Sequence, residues 1–492
     1  MPAYYLEIIV VVVGLLMLML DAFAKIDDKR AIAWLGMIGL GITFVLLFRV
    51  EAPTSTESSF WDFYSADDQV ALFFKGIAIL TTFIVLIMAT DYSPIVVAQT
   101  ADPEPGAHPQ SGLGEFFALP MFACAGLMWM ASANNLVSIF VSLETVTITF
   151  YILVAYLRRN VGSLEAGVKY LILGALSTGF LVYGFAWLYG ISGSMQLDEI
   201  ATALANPEVN QVAALFAFGL IMVALAFKVG GAPFHFWIPD VYQGAPTPIT
   251  AFLSVGSKAA GFIVLLRLTA PFLASSTLVG KVCMVLTAIA ILTLLVGNLA
   301  AMPQTNFKRL LAYSSVAHAG FLMMALASAP TMSAVGKSMS PATVIAFYLG
   351  AYLLMTLLAF LVMTTIRSQV TGEDLNAYKG LAKRSPFLAF TLLVSMASLA
   401  GIPLTAGFFG KFFVFKLAAE QQNWALLIVG LVGAAAGFYY YLKIAVPMFF
   451  AEAEEGAPSI TVGRMARVAM VSLTIAVLAA GINPGLILGL LP

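Results

Sequence analysis

Apolar positions in this chain fall in long unbroken runs, not in the alternation of a strand or the single stripe of a surface helix. Such runs lie near 4–20, 31–49, 69–90, 115–132, 134–157, 165–190, 211–229, 246–270, 279–300, 308–329, 341–366, 387–418, 424–450 and 466–490. Each is of the length needed to cross a hydrocarbon layer of about 30 Å as a helix. Two are interrupted. Gly230, Gly231 and Pro233 follow the seventh, in MVALAFKVGGAPFHFWIPD, and the twelfth contains LAGIPLTAGFFGKFFVF. The pattern predicts an all-α polytopic membrane protein with about 14 transmembrane helices. No loop is long enough to hold a separate domain. Ala22-Phe23-Ala24 resembles a cleavage site, yet Glu7 stands where a signal peptide would carry Lys or Arg. The first run is therefore expected to be a span.

Polar residues between the runs set an orientation. Lys and Arg gather after odd-numbered spans: Lys25, Lys29 and Arg30; Arg158 and Arg159; Lys308 and Arg309; Lys379, Lys383 and Arg384; Arg464 and Arg467. The 91–114 loop, on the same side, has neither. The opposite loops are acidic or nearly neutral, as in 51–68 (Glu51, Glu57, Asp62, Asp67, Asp68) and 191–210. By the positive-inside rule both termini face away from the cytoplasm.

Composition agrees. Of 492 residues, 61% are hydrophobic and 10% charged, against about 25% charged in a soluble chain. A net charge of −1 gives no basic surface for nucleic acid. Cys124 and Cys283 stand alone in apolar runs, and no metal or iron–sulfur spacing is present. No dinucleotide fingerprint or phosphate loop occurs either; Gly410-Lys411 is followed by Phe.

Against this background each ionisable residue inside a run is a functional candidate, because a charge at mid-bilayer costs at least about 2.5 kcal/mol. Five stand out: Glu144, Lys228, His235, Lys258 and Lys411. Lys169 and His318 are secondary. Glu144 sits in SIFVSLETVTITFY among hydroxyls, as an interhelical hydrogen bonder or as the charge partner of a lysine. Lys228 ends the first half of the broken seventh span. Snorkelling to the interface is its bland reading, but irregular backbone at membrane depth survives only against protein or a wet cavity. An amine balanced between desolvation and a facing carboxylate can bind and release a proton. Lys258, deep in FLSVGSKAAGF, has small neighbours that place it inside a bundle. Lys411 follows the second break, and the two lysines lie on opposite sides of their breaks when Pro233 and Pro403 are aligned. Paired interruptions in two halves of a bundle mark an ion path. His235 and His318 suit either a satisfied hydrogen bond or a proton shuttle, and Lys169, near a cytoplasmic end, suits snorkelling.

Four ordered segments carry a resemblance: LVSIFVSLETVTITFYILVAY, FKVGGAPFHFWIPDVYQGAPTPITAFLSVGSKAAGF, NFKRLLAYSSVAHAGF and LAGIPLTAGFFGKFFVF. They resemble the antiporter-like membrane subunits of respiratory complex I, the proton-pumping NADH:quinone oxidoreductase, over roughly 115–450. Within that family the wording is most similar to subunit N. The resemblance implies two inverted five-helix repeats, each with a broken helix: 1–114 as a three-helix segment, 115–275 and 276–450 as the repeats, and 451–492 as the last span. It implies Glu144 and Lys228 as a coupled pair, Lys258 as central relay and Lys411 as terminal lysine, with His235 and Lys169 on the same hydrophilic axis. NADH, FMN, iron–sulfur clusters and quinone are then expected on partner subunits, and no cofactor on this chain. The implied partners are other complex I membrane subunits, including neighbouring antiporter-like ones, and the lipid bilayer; the implied location is a bacterial cytoplasmic (inner) membrane. The alternative is a subunit of a multisubunit cation/proton antiporter or related ion-pumping hydrogenase. A structural spacer is the third reading, opposed by the cost of keeping unpaired buried charges.

Overall fold

The computed structural model describes residues 2–50, 68–100, 108–329, 339–370, 372–453 and 459–491. Regular structure among them is helical, in chain order α1 (Tyr4–Phe23), α2 (Arg30–Leu47), α3 (Gln69–Thr100), α4 (Leu113–Ser132), α5 (Leu136–Val154), α6 (Val161–Ser192), α7 (Leu197–Ala205), α8 (Gln211–Val229), α9 (Trp237–Gly244), α10 (Thr247–Phe252), α11 (Lys258–Ala274), α12 (Val279–Ala301), α13 (Phe307–Ala327), α14 (Pro341–Arg367), α15 (Leu381–Arg384), α16 (Pro386–Ala400), α17 (Ala406–Glu420), α18 (Trp424–Phe450), α19 (Arg464–Ile482) and α20 (Gly485–Leu488). Thirteen of the described stretches are long and apolar enough to cross a membrane, with α10 and α11 counted as one, Thr247–Ala274. The twelfth predicted run supplies the fourteenth as two 15-residue halves, α16 and α17.

Burial separates a protein-facing centre from a lipid-facing rim. In α13, 94% of the central window is buried, and in Thr247–Ala274 and α14 89%, against 28% in α12 and 33% in α6. A polar group on α13 must therefore find its partners within the protein.

Both expected interruptions are present, and both end a helix in the same way. Gly230 (φ 83°) and Gly401 (φ 88°) adopt the left-handed conformation that glycine takes without penalty. Each allows two successive N–H groups to fold back on helix carbonyls: Gly230 and Gly231 on Ala226 O at 2.9 and 2.7 Å, Gly401 and Ile402 on Ala397 O at 3.0 Å each. The Trp237 indole donates to Phe227 O at 2.8 Å, and Ala232 N–H donates to Thr293 Oγ1 at 2.9 Å, so side chains satisfy polar backbone that the break frees. At the second break α17 packs so closely on the end of α16 that a Cβ on Gly407 would overlap the Ser398 carbonyl. Gly407→Ala should therefore cost about 1–3 kcal/mol, read as a lower thermal midpoint of the purified assembly.

Two features depart from expectation. The 91–114 loop is helical up to Thr100, despite Pro94. The missing N–H of Pro94 would orphan Thr90 O, but Ser93 Oγ donates to that carbonyl at 2.8 Å and the helix continues. The eighth span, expected to be continuous, contains a π-helical turn at Leu253–Ser257 immediately before Lys258. Of the acidic loop 51–68, Glu51, Glu57, Asp62 and Asp67 lie outside the described residues; Asp68 pairs with Arg267 at 3.0 Å.

Candidate functional site

The candidate residues do not cluster at one point. They form a row through the protein-facing centre, beginning at α5. Glu144 Oε1 accepts a hydrogen bond from Thr178 Oγ1 of α6 at 2.7 Å. One turn along α5, Thr147 Oγ1 accepts from Lys228 Nζ at 2.7 Å. Among the described residues no ion pair joins Glu144 to Lys228. Instead each charge holds a threonine, on neighbouring positions of one helix face. The two members of the coupled pair that the resemblance implies thus meet α5 through separate hydroxyl contacts, Glu144 toward α6 and Thr147 toward α8.

Lys228 lies in the last turn of α8, where helix carbonyls favour a cation. Its backbone and Cβ lie 3.9 Å from where a Cβ on Gly261 of α11 would be, with Val229 Cγ1 at 3.0 Å. The missing side chain at Gly261 thus brings α8 and α11 together one turn from Lys258.

Lys258 is 3% exposed. Its ammonium donates to both the carbonyl and the hydroxyl of Ser315 on α13. The Tyr242 hydroxyl of α9 lies 3.2 Å from the same Ser315 Oγ, and the Tyr352 ring lies 5.5 Å from Nζ. The π turn directs this: residues 253–257 carry the extra residue of an i→i+5 turn, and Lys258 opens the helix that follows it.

Along α13 the row continues. Ser314, beside Ser315, bonds to the Tyr441 hydroxyl. Tyr441 lies 3.0 Å from His318 Nε2, and the Tyr348 hydroxyl lies 2.7 Å from His318 Nδ1. His318, a secondary candidate by sequence, is thus held on both ring nitrogens at the centre of the row. Beyond it, Phe321 on α13 places its ring 5.3 Å from Lys411 Nζ. Tyr348 also packs against Gly410, where a Cβ would meet its ring at 3.1 Å.

Lys411, 6% exposed, belongs to α17 but reaches back across the break. It donates to Leu399 O at 3.0 Å and Ala400 O at 2.7 Å, the last carbonyls of α16. The two break lysines lie on opposite sides of their breaks in sequence, yet each is placed at the C-terminal end of the upstream half-helix. That end carries the partial negative charge of the helix dipole. Gly401 leaves the room: a Cβ there would meet Lys411 Cδ at 3.0 Å.

His235 and Lys169 stand apart from this row. His235 is buried in the first break beside Phe236, and its Nδ1 has no hydrogen-bond partner among the described residues. Lys169 sits at the end of the bundle that carries α9, 43% exposed, paired with Glu165 at 2.7 Å and Asp240 at 2.8 Å. Arg309 completes that group at 2.9 Å from Asp240. It lines a polar cavity of about 450 Å³, whose walls come from the segments after spans three, five, seven, nine and eleven. This confirms that those connections share one end of the molecule.

Sequence reasoning missed the hydroxyl partners: Tyr242, Ser314, Ser315, Tyr348, Tyr352 and Tyr441. A signal exists in hindsight. Tyr348 and Tyr352 are four apart in the middle of an apolar run, far from the interfaces where membrane tyrosines gather. It also missed a further buried charge, Lys75 of α3, fully enclosed and paired with Glu7 of α1 at 2.9 Å.

Comparison with known proteins supports the same assignment. The family described as NADH:quinone oxidoreductase/Mrp antiporter, transmembrane, matches residues 133–437. The chain is 41% identical over 418 residues to NADH-quinone oxidoreductase subunit N 2 of Solibacter usitatus, covering 85% of this chain and 80% of that protein. It is 36% identical over 486 residues to NADH-quinone oxidoreductase subunit N of Trichlorobacter lovleyi, covering 98% and 94%. Among solved structures, a chain of respiratory complex I from Thermus thermophilus with bound aureothin matches with a TM-score of 0.78 and 33% identity, covering 98% of both chains. With its broken helices, buried lysines and full-length similarity, the chain belongs to the family of NADH:quinone oxidoreductase and Mrp antiporter membrane subunits, in its subunit N branch.

Proposed function

We propose that protons cross the membrane through this chain along the row Glu144–Lys228–Lys258–His318–Lys411, with the hydroxyls of Thr147, Ser315, Ser314, Tyr441 and Tyr348 between them. The chain is a proton-translocating membrane subunit of the NADH-quinone oxidoreductase type and works within a multisubunit membrane complex. NADH, FMN, iron–sulfur clusters and quinone then act on partner subunits, and neighbouring antiporter-like subunits are the expected contacts. The basic end faces the bacterial cytoplasm, and both termini face the other side. Residues 115–275 and 276–450 act as two inverted half-units, each contributing one break and one break lysine.

One observation carries this reading. Hydrogen bonds run from Lys258 through Ser315, and from the adjacent Ser314 through Tyr441, His318 and Tyr348, with every member but Tyr441 on the most enclosed helices of the bundle. None of Lys228, Lys258 and Lys411 forms an ion pair among the described residues; each ammonium is met by hydroxyls or carbonyls. A buried charge without a counter-ion costs several kcal/mol, so such an amine is suited to carrying charge transiently. A charge arriving from a neighbouring subunit would act first on Glu144, whose carboxylate lies one turn from the Lys228 site. Lys228 would then pass its proton on to Lys258, and Lys411 would release one at the far break.

The rival reading is cation/proton exchange without redox coupling. The two separate in the purified native complex, reconstituted in vesicles. NADH-driven quinone reduction accompanied by acidification, independent of sodium, is expected. Sodium-driven proton movement with no NADH oxidation would favour the antiporter.

A further inference from the structure

Away from the lysine row, an apolar groove runs down the outside of the bundle between α3 and α19. Both helices pack on α14 and meet each other only sparsely, so Leu353 and Leu354 of α14 form its floor. Ile84 and Ile87 of α3 make one wall, Val468 and Ala476 of α19 the other. The groove holds about 560 Å³. A second apolar cavity of about 360 Å³ shares Leu80, Leu353 and Leu354 with it and continues toward the end that carries Gln69 and Leu490.

Charge marks one end of the groove. Among the described residues that line it, only Arg464 and Ser472 are polar, and Arg464 opens α19 at the basic end of the molecule. No charged residue lines the second cavity. Arg464 and Arg467 are exposed and one helical turn apart, and neither side chain makes a hydrogen bond or ion pair among the described residues. Both stand in the first turn of α19, where the helix dipole disfavours a cation. Asp91 of α3 approaches this end, 3.4 Å from where a Cβ on Gly463 would lie, but pairs with neither arginine. An anionic group arriving here meets two unpaired guanidinium groups.

The depth of the groove fits one leaflet. Arg464 and Ala476 are twelve residues apart on one helix, a rise of about 18 Å and close to half of a hydrocarbon layer of about 30 Å. A transmembrane helix over that depth fills roughly 1,400 Å³, far more than the groove holds. One extended acyl chain is slim enough, and guanidinium pairs strongly with phosphate.

We infer that this groove binds an anionic phospholipid of the leaflet at the basic end, with one acyl chain laid between α3 and α19 and the headgroup phosphate on Arg464. Arg467, one turn on, selects a headgroup of net negative charge over a zwitterionic one. The floor gives the lipid a structural role. Leu353 and Leu354 follow Tyr352 on α14, the helix that sets Tyr352 beside Lys258 and Tyr348 on His318, so the bound chain braces that helix. The site stands whether or not protons pass along the lysine row.

The test is labelling of the assembled complex in phosphatidylcholine vesicles by phosphatidylglycerol that carries a photoreactive group on one acyl chain. Mass spectrometry of the labelled peptides should find the label on α19 between Val468 and Ala476 and on α3 near Ile84 and Ile87. Unlabelled phosphatidylglycerol should compete for these positions, and phosphatidylethanolamine should not. Arg464→Gln with Arg467→Gln should lower the label there severalfold, whereas Arg464→Lys with Arg467→Lys should keep most of it. Ser472→Trp, which fills the groove from its exposed rim, should remove the label there and leave it unchanged elsewhere on the complex. NADH oxidation should be unaltered in all of these variants. An unlabelled groove in the unmodified complex would overturn the site and show that a protein partner covers it. Equal competition by phosphatidylethanolamine, or full labelling in the glutamine variant, would overturn it as well, leaving only general contact with lipid.

Discussion

Lys411→Ala should give a complex that assembles and still oxidises NADH, yet no longer acidifies vesicles through this chain. The amine reaches across the second break to Leu399 O and Ala400 O and is the last ionisable group of the row. Alanine removes the proton carrier and leaves the two carbonyls to the room it vacates. Lys411→Arg separates charge from proton exchange. Arginine keeps the positive charge that the end of α16 favours, but it does not give up its proton in a protein. Both variants should therefore lose pumping, read as quenching of a pH-sensitive dye after NADH addition. Retained pumping in the arginine variant would show that charge alone suffices at this position.

The second large effect is on stability and lies away from the row. Glu7→Ala should destabilise the N-terminal three helices by about 3–5 kcal/mol, the usual result of removing one partner of a buried ion pair. Lys75 is fully enclosed, and the Glu7 carboxylate 2.9 Å away supplies an opposite charge to it. Removing both charges, in Glu7→Ala with Lys75→Met, should recover most of the loss, because a neutral pair avoids the desolvation cost. Thermal midpoints of the four members of the cycle, measured on the assembled complex, give the coupling directly. Equal losses in the single and double variants would mean that the pair does not balance.

What could be read from the sequence followed local chemistry. Gly230 and Gly401 announce helix ends, because few residues but glycine take positive φ at a helix terminus. Lys228, Lys258 and Lys411 stand out, since charge is costly where everything else is apolar. What escaped depends on tertiary neighbours or on backbone detail without a compositional mark. The π turn at Leu253–Ser257 is written in residues that would equally well form an α-helix. The helix beyond Pro94 exists because Ser93 supplies a hydroxyl to the carbonyl that proline orphans. His318 looked ordinary in AYSSVAHAGF; its place in the row comes from Tyr348 on α14 and Tyr441 on α18, residues 30 and 123 positions away. Glu7 and Lys75 are likewise distant in sequence, and only the packing of α1 and α3 on the same two helices, α2 and α4, brings them together. Glu144 and Lys228 read as a coupled pair from the sequence; the threonine that each holds is set by the packing of α6 and α8 on α5.

The most direct test of a path through the centre of the bundle is the number of protons moved per NADH oxidised by the Lys258→Met complex, with both quantities recorded in the same vesicles. Methionine matches the length and packing of the lysine without its amine, and Ser315 can still bond Tyr242. A fall in that ratio, with NADH oxidation retained, is the expected result. An unchanged ratio in a fully assembled complex would contradict a proton path through Lys258.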